Sequence, residues 1–154
     1  MEIRKATKKD ISGMIKIDTF AEQLKGYTGL DELDLKKSVE KEAGRYYNRF
    51  ISKNKKWVYV AEEDEKIIGF ILFTIQKRER YYKIKKVGYI DLIVVDKNAR
   101  RKGVAKLLMK KAYEEFKEKG ILFLRLSVHT DNPSHEIWKK LGFKDYKVDM
   151  WREI

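Results

Sequence analysis

A chain of 154 residues is long enough for one domain with its own core and too short for two comfortable ones. It has no cysteine, which excludes disulfides, thiolate metal sites and cysteine nucleophiles, and its two histidines give no recognisable metal-ligand spacing, so no metal is expected. A net charge of +12 points to anionic partners. The N-terminal stretch lacks an apolar signal region and the longest apolar run, Ile67 to Ile75, is far short of a membrane span. A soluble cytoplasmic protein with no membrane partner is the expectation.

In chain order, Glu2 to Ala6 reads as a first strand, with Thr7 as N-cap and Asp10 in the first turn of a helix carrying Ile11, Met14 and Ile15. A loop with Gly26 and Gly29 follows, then a charged helical region from Asp31 to Phe50. Trp57 to Ala61 and Ile67 to Gln76 read as an antiparallel hairpin around a polar turn. The basic segment Lys77 to Lys86, with Tyr81 and Tyr82 inside it, leads to a strand from Gly88 to Val95. Arg101 to Lys119 reads as a helix turning Val104, Leu107, Leu108, Ala112 and Phe116 inward, and Gly120 is its C-cap. Ile121 to Thr130 alternates as a strand, Pro133 opens a short helix to Lys140, and Phe143 to Arg152 supplies one or two last strands. The order predicts one α/β (α+β) domain over 1–154. Its mixed, mostly antiparallel sheet carries helices on both faces.

The stretch from Asp91 to Leu108 carries the most chemistry. An apolar strand feeds a short loop with one glycine into the start of a helix, and Arg100, Arg101 and Lys102 put positive charge there. Main-chain N–H groups and the helix dipole both favour an anion at such a place, so a phosphorylated ligand is expected.

Two motifs carry a resemblance to the GNAT N-acetyltransferase superfamily. Arg100-Arg101-Lys102-Gly103-Val104-Ala105 is similar to that family's acetyl-CoA signature, Arg/Gln-x-x-Gly-x-Gly/Ala, at Arg100, Gly103 and Ala105. Asp131 to Phe143 resembles its late helix followed by Leu-Gly-Phe. The resemblance implies acetyl-CoA as acyl donor, with its pyrophosphate on the amides of Arg101 to Ala105. Arg100, Arg101, Lys102 and Lys106 would answer its phosphates, and Asn132 is a further contact. It also implies a pantetheine arm along Ile93, Val94 and Val95, where the strand splays from its neighbour; the side chains there read equally as core.

Acetyl transfer needs a neutral amine, hence a base. Asp91 is the first candidate, on the face that plain alternation shares among Tyr89, Ile93 and Val95; a surface or ion-paired carboxylate is the other reading. Glu22, His129 and His135 are lesser candidates. Trp138 stands where the family usually has an acidic tyrosine. Its indole N–H can donate a hydrogen bond but not a proton, and it reads equally as packing. The expected acceptor is a primary amine on a protein or a small molecule, and a homodimer is allowed. Two other classes compete: a catalytically silent acyl-CoA-binding module and, below it, a nucleic-acid-binding protein built on the basic, aromatic segment Lys77 to Lys86.

Overall fold

The computed structural model describes residues 1–18, 39–53, 56–150, 152 and 154. The reading of 19–38, including Glu22, Gly26 and Gly29, lies outside the described residues. Contacts divide the chain into two compact units, the first holding the described residues up to Leu126 and the second those from Ser127 on.

In the first unit, a five-stranded sheet runs in the order β1 (Glu2–Lys5), β2 (Lys56–Glu63), β3 (Lys66–Lys77), β4 (Lys86–Val95), β5 (Leu124–Leu126). The first four strands are antiparallel neighbours, and β5 joins β4 in parallel. Helices α1 (Ile11–Ile17) and α2 (Val39–Ile51) cover one face. There Met14, Ile17, Tyr47 and Phe50 bury against Val58, Val60, Phe70, Leu72 and Val94. Helix α3 (Val104–Glu118) covers the other face. Its Phe116 ring packs 4.9 Å from Phe73, which stacks with Trp57 and Tyr59. The two faces follow from β3, whose central residues Phe70 to Phe73 are all fully buried and alternate between the layers.

Polar clasps hold the edges. The Arg4 guanidinium on β1 donates to both Asp10 oxygens, at 2.7 and 2.9 Å, and to Glu62 on β2. Thr7 completes the box, its N–H donating to Asp10 at 2.7 Å. The Arg4 hydrogen bonds hold the Asp10 carboxyl down at about 2. The Tyr59 hydroxyl donates to Glu115, tying β2 to α3.

Four expectations need correction. Helix α3 begins at Val104, not Arg101, because Arg101 and Gly103 adopt left-handed backbone, with φ of 66° and 80°. Its inward residues are Val104, Leu108, Met109, Ala112 and Phe116, while Leu107 is 39% exposed. The strand expected from Ile121 to Thr130 shrinks to Leu124–Leu126, and Leu122 and Phe123 are exposed. In the second unit, α4 (Ser134–Lys140) forms as expected, but 143–150 contains no strand. Tyr146, Val148 and Met150 alternate there yet stay exposed, and alternation without a paired edge does not make a strand.

Candidate active site

The chain from β4 to α3 is built as a cradle. Asp96 leaves the strand and caps a short 3-10 turn, Lys97–Ala99, its carboxylate accepting from the Asn98 N–H at 2.7 Å. Arg100 returns to extended backbone, and Arg101 and Gly103 then turn left-handed before α3 starts. The helix is pinned by its first residue. A Cβ built on Gly69 of β3 would lie 2.8 Å from Val104 Cγ1, 3.3 Å from Leu108 Cδ1 and 3.1 Å from the Val94 carbonyl oxygen. Only glycine lets the helix start approach the sheet this closely.

Val104 is therefore buried, while Arg100, Arg101, Lys102, Gly103, Ala105 and Lys106 are exposed. The first helical bond runs from the Leu107 N–H to the Gly103 carbonyl. The N–H groups ahead of it point out of the helix end. Nothing lies within 4 Å of a Cβ built on Gly103, so the approach to these amides is open. Outward amides, a positive dipole end and four exposed cations fit a diphosphate. Apart from this helix head, a groove of about 730 Å³ opens between α1, the β2–β3 turn and Asp96, Asn98, Ala99 and Lys102. Its lysines Lys9, Lys16, Lys66 and Lys102 face carboxylates on Glu63, Asp64 and Glu65, so it lacks the single sign of charge found at the helix head.

Four residues before the strand ends, β4 breaks its own pattern. Leu72 pairs with Leu92, but Phe73 pairs with Ile90, so Asp91 is an extra residue, a β-bulge. The parallel ladder to β5 ends at the same place, Ile90 opposite Leu126, and β4 continues to Val95 beyond it. Ile93 to Val95 thus lie on a stretch of β4 past the last β5 pair.

The bulge corrects the alternation argument. Asp91 shares a face with Tyr89, because Thr74 opposite Tyr89 donates its hydroxyl to Asp91 at 3.1 Å. Past the bulge the phase flips. Leu92 and Val94 pack on the α1–α2 core, whereas Val95 pairs with Gly69, whose missing side chain is replaced by Val104 and Leu108 on the α3 face. Ile93 and Val95 therefore point away from Asp91. Tyr46 of α2 is close enough to feel both Asp91 and Tyr89. Burial first, and then the Asp91 charge, push its phenol up to about 12. The result is a carboxylate with a hydroxyl donor and two phenols around it. Thr74 and Tyr46 were not read from the sequence. Thr74 was visible as the polar interruption of an apolar strand, and Tyr46 carried no signal.

The remaining candidates lie in the second unit. The Asn132 side-chain oxygen accepts from the Ser134 N–H at 2.8 Å and so helps cap α4. Trp138 is half-buried, its ring 5.4 Å from Phe143 in an edge-on contact. His129 lies past the end of β5 rather than on a strand. The His135 Nε2 sits 2.7 Å from Asp145, which also pairs with Lys139.

A three-layer α/β unit with a cationic helix head and a bulged strand leading into it defines the class. The chain belongs to the acetyltransferase (GNAT) family, whose model matches residues 19–143. A Methanocaldococcus jannaschii protein named as an N-acetyltransferase is 29% identical over 153 residues, 95% of this chain. The chain spans 62% of that relative's length. An Archaeoglobus fulgidus protein, also named as an N-acetyltransferase, is 31% identical over 119 residues, 74% of this chain and 72% of the relative. Among solved structures, a Clostridium acetobutylicum protein described as a predicted acetyltransferase with acetyl-CoA is similar, with a TM-score of 0.71. It is 27% identical, and the match covers 99% of this chain and 94% of that one.

Proposed function

We propose that this chain is an acetyl-CoA-dependent N-acetyltransferase acting on a primary amine, with 1–154 working as one catalytic domain in the cytoplasm. The observation that carries this reading is the bulge: it sets Asp91 on β4 just past the last β5 pair and a few residues before the cationic head of α3. The family match, which runs through both units, supports it.

The amides of Arg101 to Ala105 would hold the pyrophosphate, with Arg100, Arg101, Lys102 and Lys106 answering its charge. Main-chain groups of Ile93, Val94 and Val95 would line the pantetheine arm, and Asn132 would make a lesser contact. Acetyl-CoA, as substrate, brings an activated acyl group on a thioester. Asp91 takes a proton from the incoming ammonium, directly or through one water, so that the neutral nitrogen can form the C–N bond as the C–S bond breaks. Thr74 fixes the carboxylate that does so. A thiol with a pKa of about 8.5 needs no enzyme acid to leave, and the second proton of the attacking nitrogen passes, directly or through water, to the departing thiolate. Trp138 can stabilise it with an N–H but cannot protonate it. His129 is the alternative base.

Trp138 also favours a second reading, a silent acyl-CoA-binding module. CoA release from acetyl-CoA against a panel of amines, with thermal shift by acetyl-CoA in parallel, separates the two. Turnover supports the enzyme, stabilisation without turnover supports the module, and neither result sinks both.

A further inference from the structure

The connection between β3 and β4 is strongly basic. Lys77 to Lys86 carries six cations, Lys77, Arg78, Arg80, Lys83, Lys85 and Lys86, against one acid, Glu79. It is an organised hairpin. The Arg78 N–H donates to the Lys85 carbonyl at 2.8 Å, the Tyr82 N–H to the Glu79 carbonyl at 3.1 Å, and the Lys85 ammonium to the Arg80 carbonyl. The Arg78 guanidinium lies 3.6 Å from the centre of the Tyr82 ring, and Tyr81, 79% exposed, stands beside it.

Its place in the strand gives it a role. Asp91 lies five residues along β4 from Lys86, about 16 Å at strand rise. The helix head lies off the opposite end of the same strand. If the donor's phosphates occupy that head, the acceptor reaches Asp91 from the hairpin end.

We infer that this hairpin selects the acceptor: an amine borne by an acidic polypeptide segment. The inference rests on the acetyltransferase reading. An acceptor amine is itself cationic in solution, so six clustered cations repel small polyamines and other polycations. They attract an amine only when it is attached to surplus negative charge. Nucleic acid would satisfy the charge but offers no alkylamine to acetylate. The Tyr82 ring is covered by Arg78 and lies 4.7 Å from Tyr81, which leaves Tyr81 as the one open ring for base stacking on this hairpin.

The test uses three peptides that share a free N-terminal residue and continue with a Glu-rich, a Ser/Gly or a Lys-rich tail. KM and fluorescence anisotropy are measured on the full chain and on Arg80→Glu/Lys83→Glu. The wild-type protein should favour the Glu-rich peptide at least tenfold in KM over the Ser/Gly peptide. That margin should shrink as salt rises from about 0.05 to 0.3 M. The double variant should invert the order while keeping kcat for the Ser/Gly peptide. Equal KM and equal binding for the three tails would overturn the inference and leave the acetyltransferase reading intact. Tight, salt-sensitive binding of poly-uridylate that the Glu-rich peptide does not displace would also overturn it. Absence of any acetyl-CoA shift would count against the enzyme alone, because the anisotropy comparison still reads the hairpin.

Discussion

The Thr74 hydroxyl donates to the Asp91 carboxylate at 3.1 Å across the β3–β4 ladder, at the one place where that ladder carries an extra residue. The hydrogen bond helps to aim the carboxylate that the bulge sets on this face. Asp91→Asn should lower kcat/KM by about 10²- to 10⁴-fold, the usual range for a lost general base, with little change in thermal midpoint. Thr74→Val should cost about tenfold or less, mainly in kcat, and Thr74→Ser should restore it. Steady-state rates on the same amine check both. An Asp91→Asn variant with wild-type kcat/KM would remove Asp91 from the chemistry.

The two left-handed residues before α3 should respond with opposite signs. Gly103→Ala meets no neighbour, so its cost of about 1 kcal/mol is backbone strain alone. Arg101→Gly relieves strain of the same size and should raise the thermal midpoint, while weakening acetyl-CoA by removing a cation. Denaturant melts and acetyl-CoA titrations of both variants read the two effects separately.

The Arg4–Asp10 pair makes stability pH-dependent at the acid end. The Asp10 pKa falls from 3.8 to about 2 on folding, chiefly through its hydrogen bonds from Arg4. A depressed carboxylate stabilises above its unfolded pKa, and that contribution is lost as pH falls from about 4 through 2. The shift corresponds to about 2 kcal/mol for this buried side chain. Asp10→Asn should therefore be about that much less stable at pH 7, with the gap closing below pH 4. A constant gap over that range, seen in urea melts, would contradict this origin.

At Gly69 the core and the helix head meet. Gly69→Ala puts a methyl 2.8 Å from Val104 Cγ1 and 3.1 Å from a backbone oxygen, which should cost about 1–3 kcal/mol and weaken acetyl-CoA binding together. Adding Val104→Ala should recover part of the loss. Thermal melts of the double-mutant cycle measure the coupling.

The sequence carried the parts of this molecule that depend on residue type in order. Arg100, Gly103 and Ala105 stand where a helix head needs them, and the hairpin of β2 and β3 shows as two apolar runs around a polar turn. The bulge was not legible. A period of two fits Tyr89, Asp91, Ile93 and Val95 equally well with or without an extra residue, and only the partner strand reveals that the count is off by one. Leu107 failed for a different reason. At 3.6 residues per turn Leu107 falls outside the stripe that Val104, Leu108, Ala112 and Phe116 define, and Met109 takes the buried flank instead. Thr74 and Tyr46 join Asp91 through sheet register and helix packing, which span 17 and 45 residues of chain.

Removing Asp91 would bring Ile90 and Leu92 together with their partners Phe73 and Leu72 already adjacent, and alternation would run unbroken along β4. The sheet does not need this residue; it is spliced into a ladder that is complete without it. A one-residue deletion should thus yield a flatter sheet that still folds and, under the proposed role of Asp91 as base, loses acetyl transfer. That deletion would take the proposed base out of the strand without taking the strand out of the sheet.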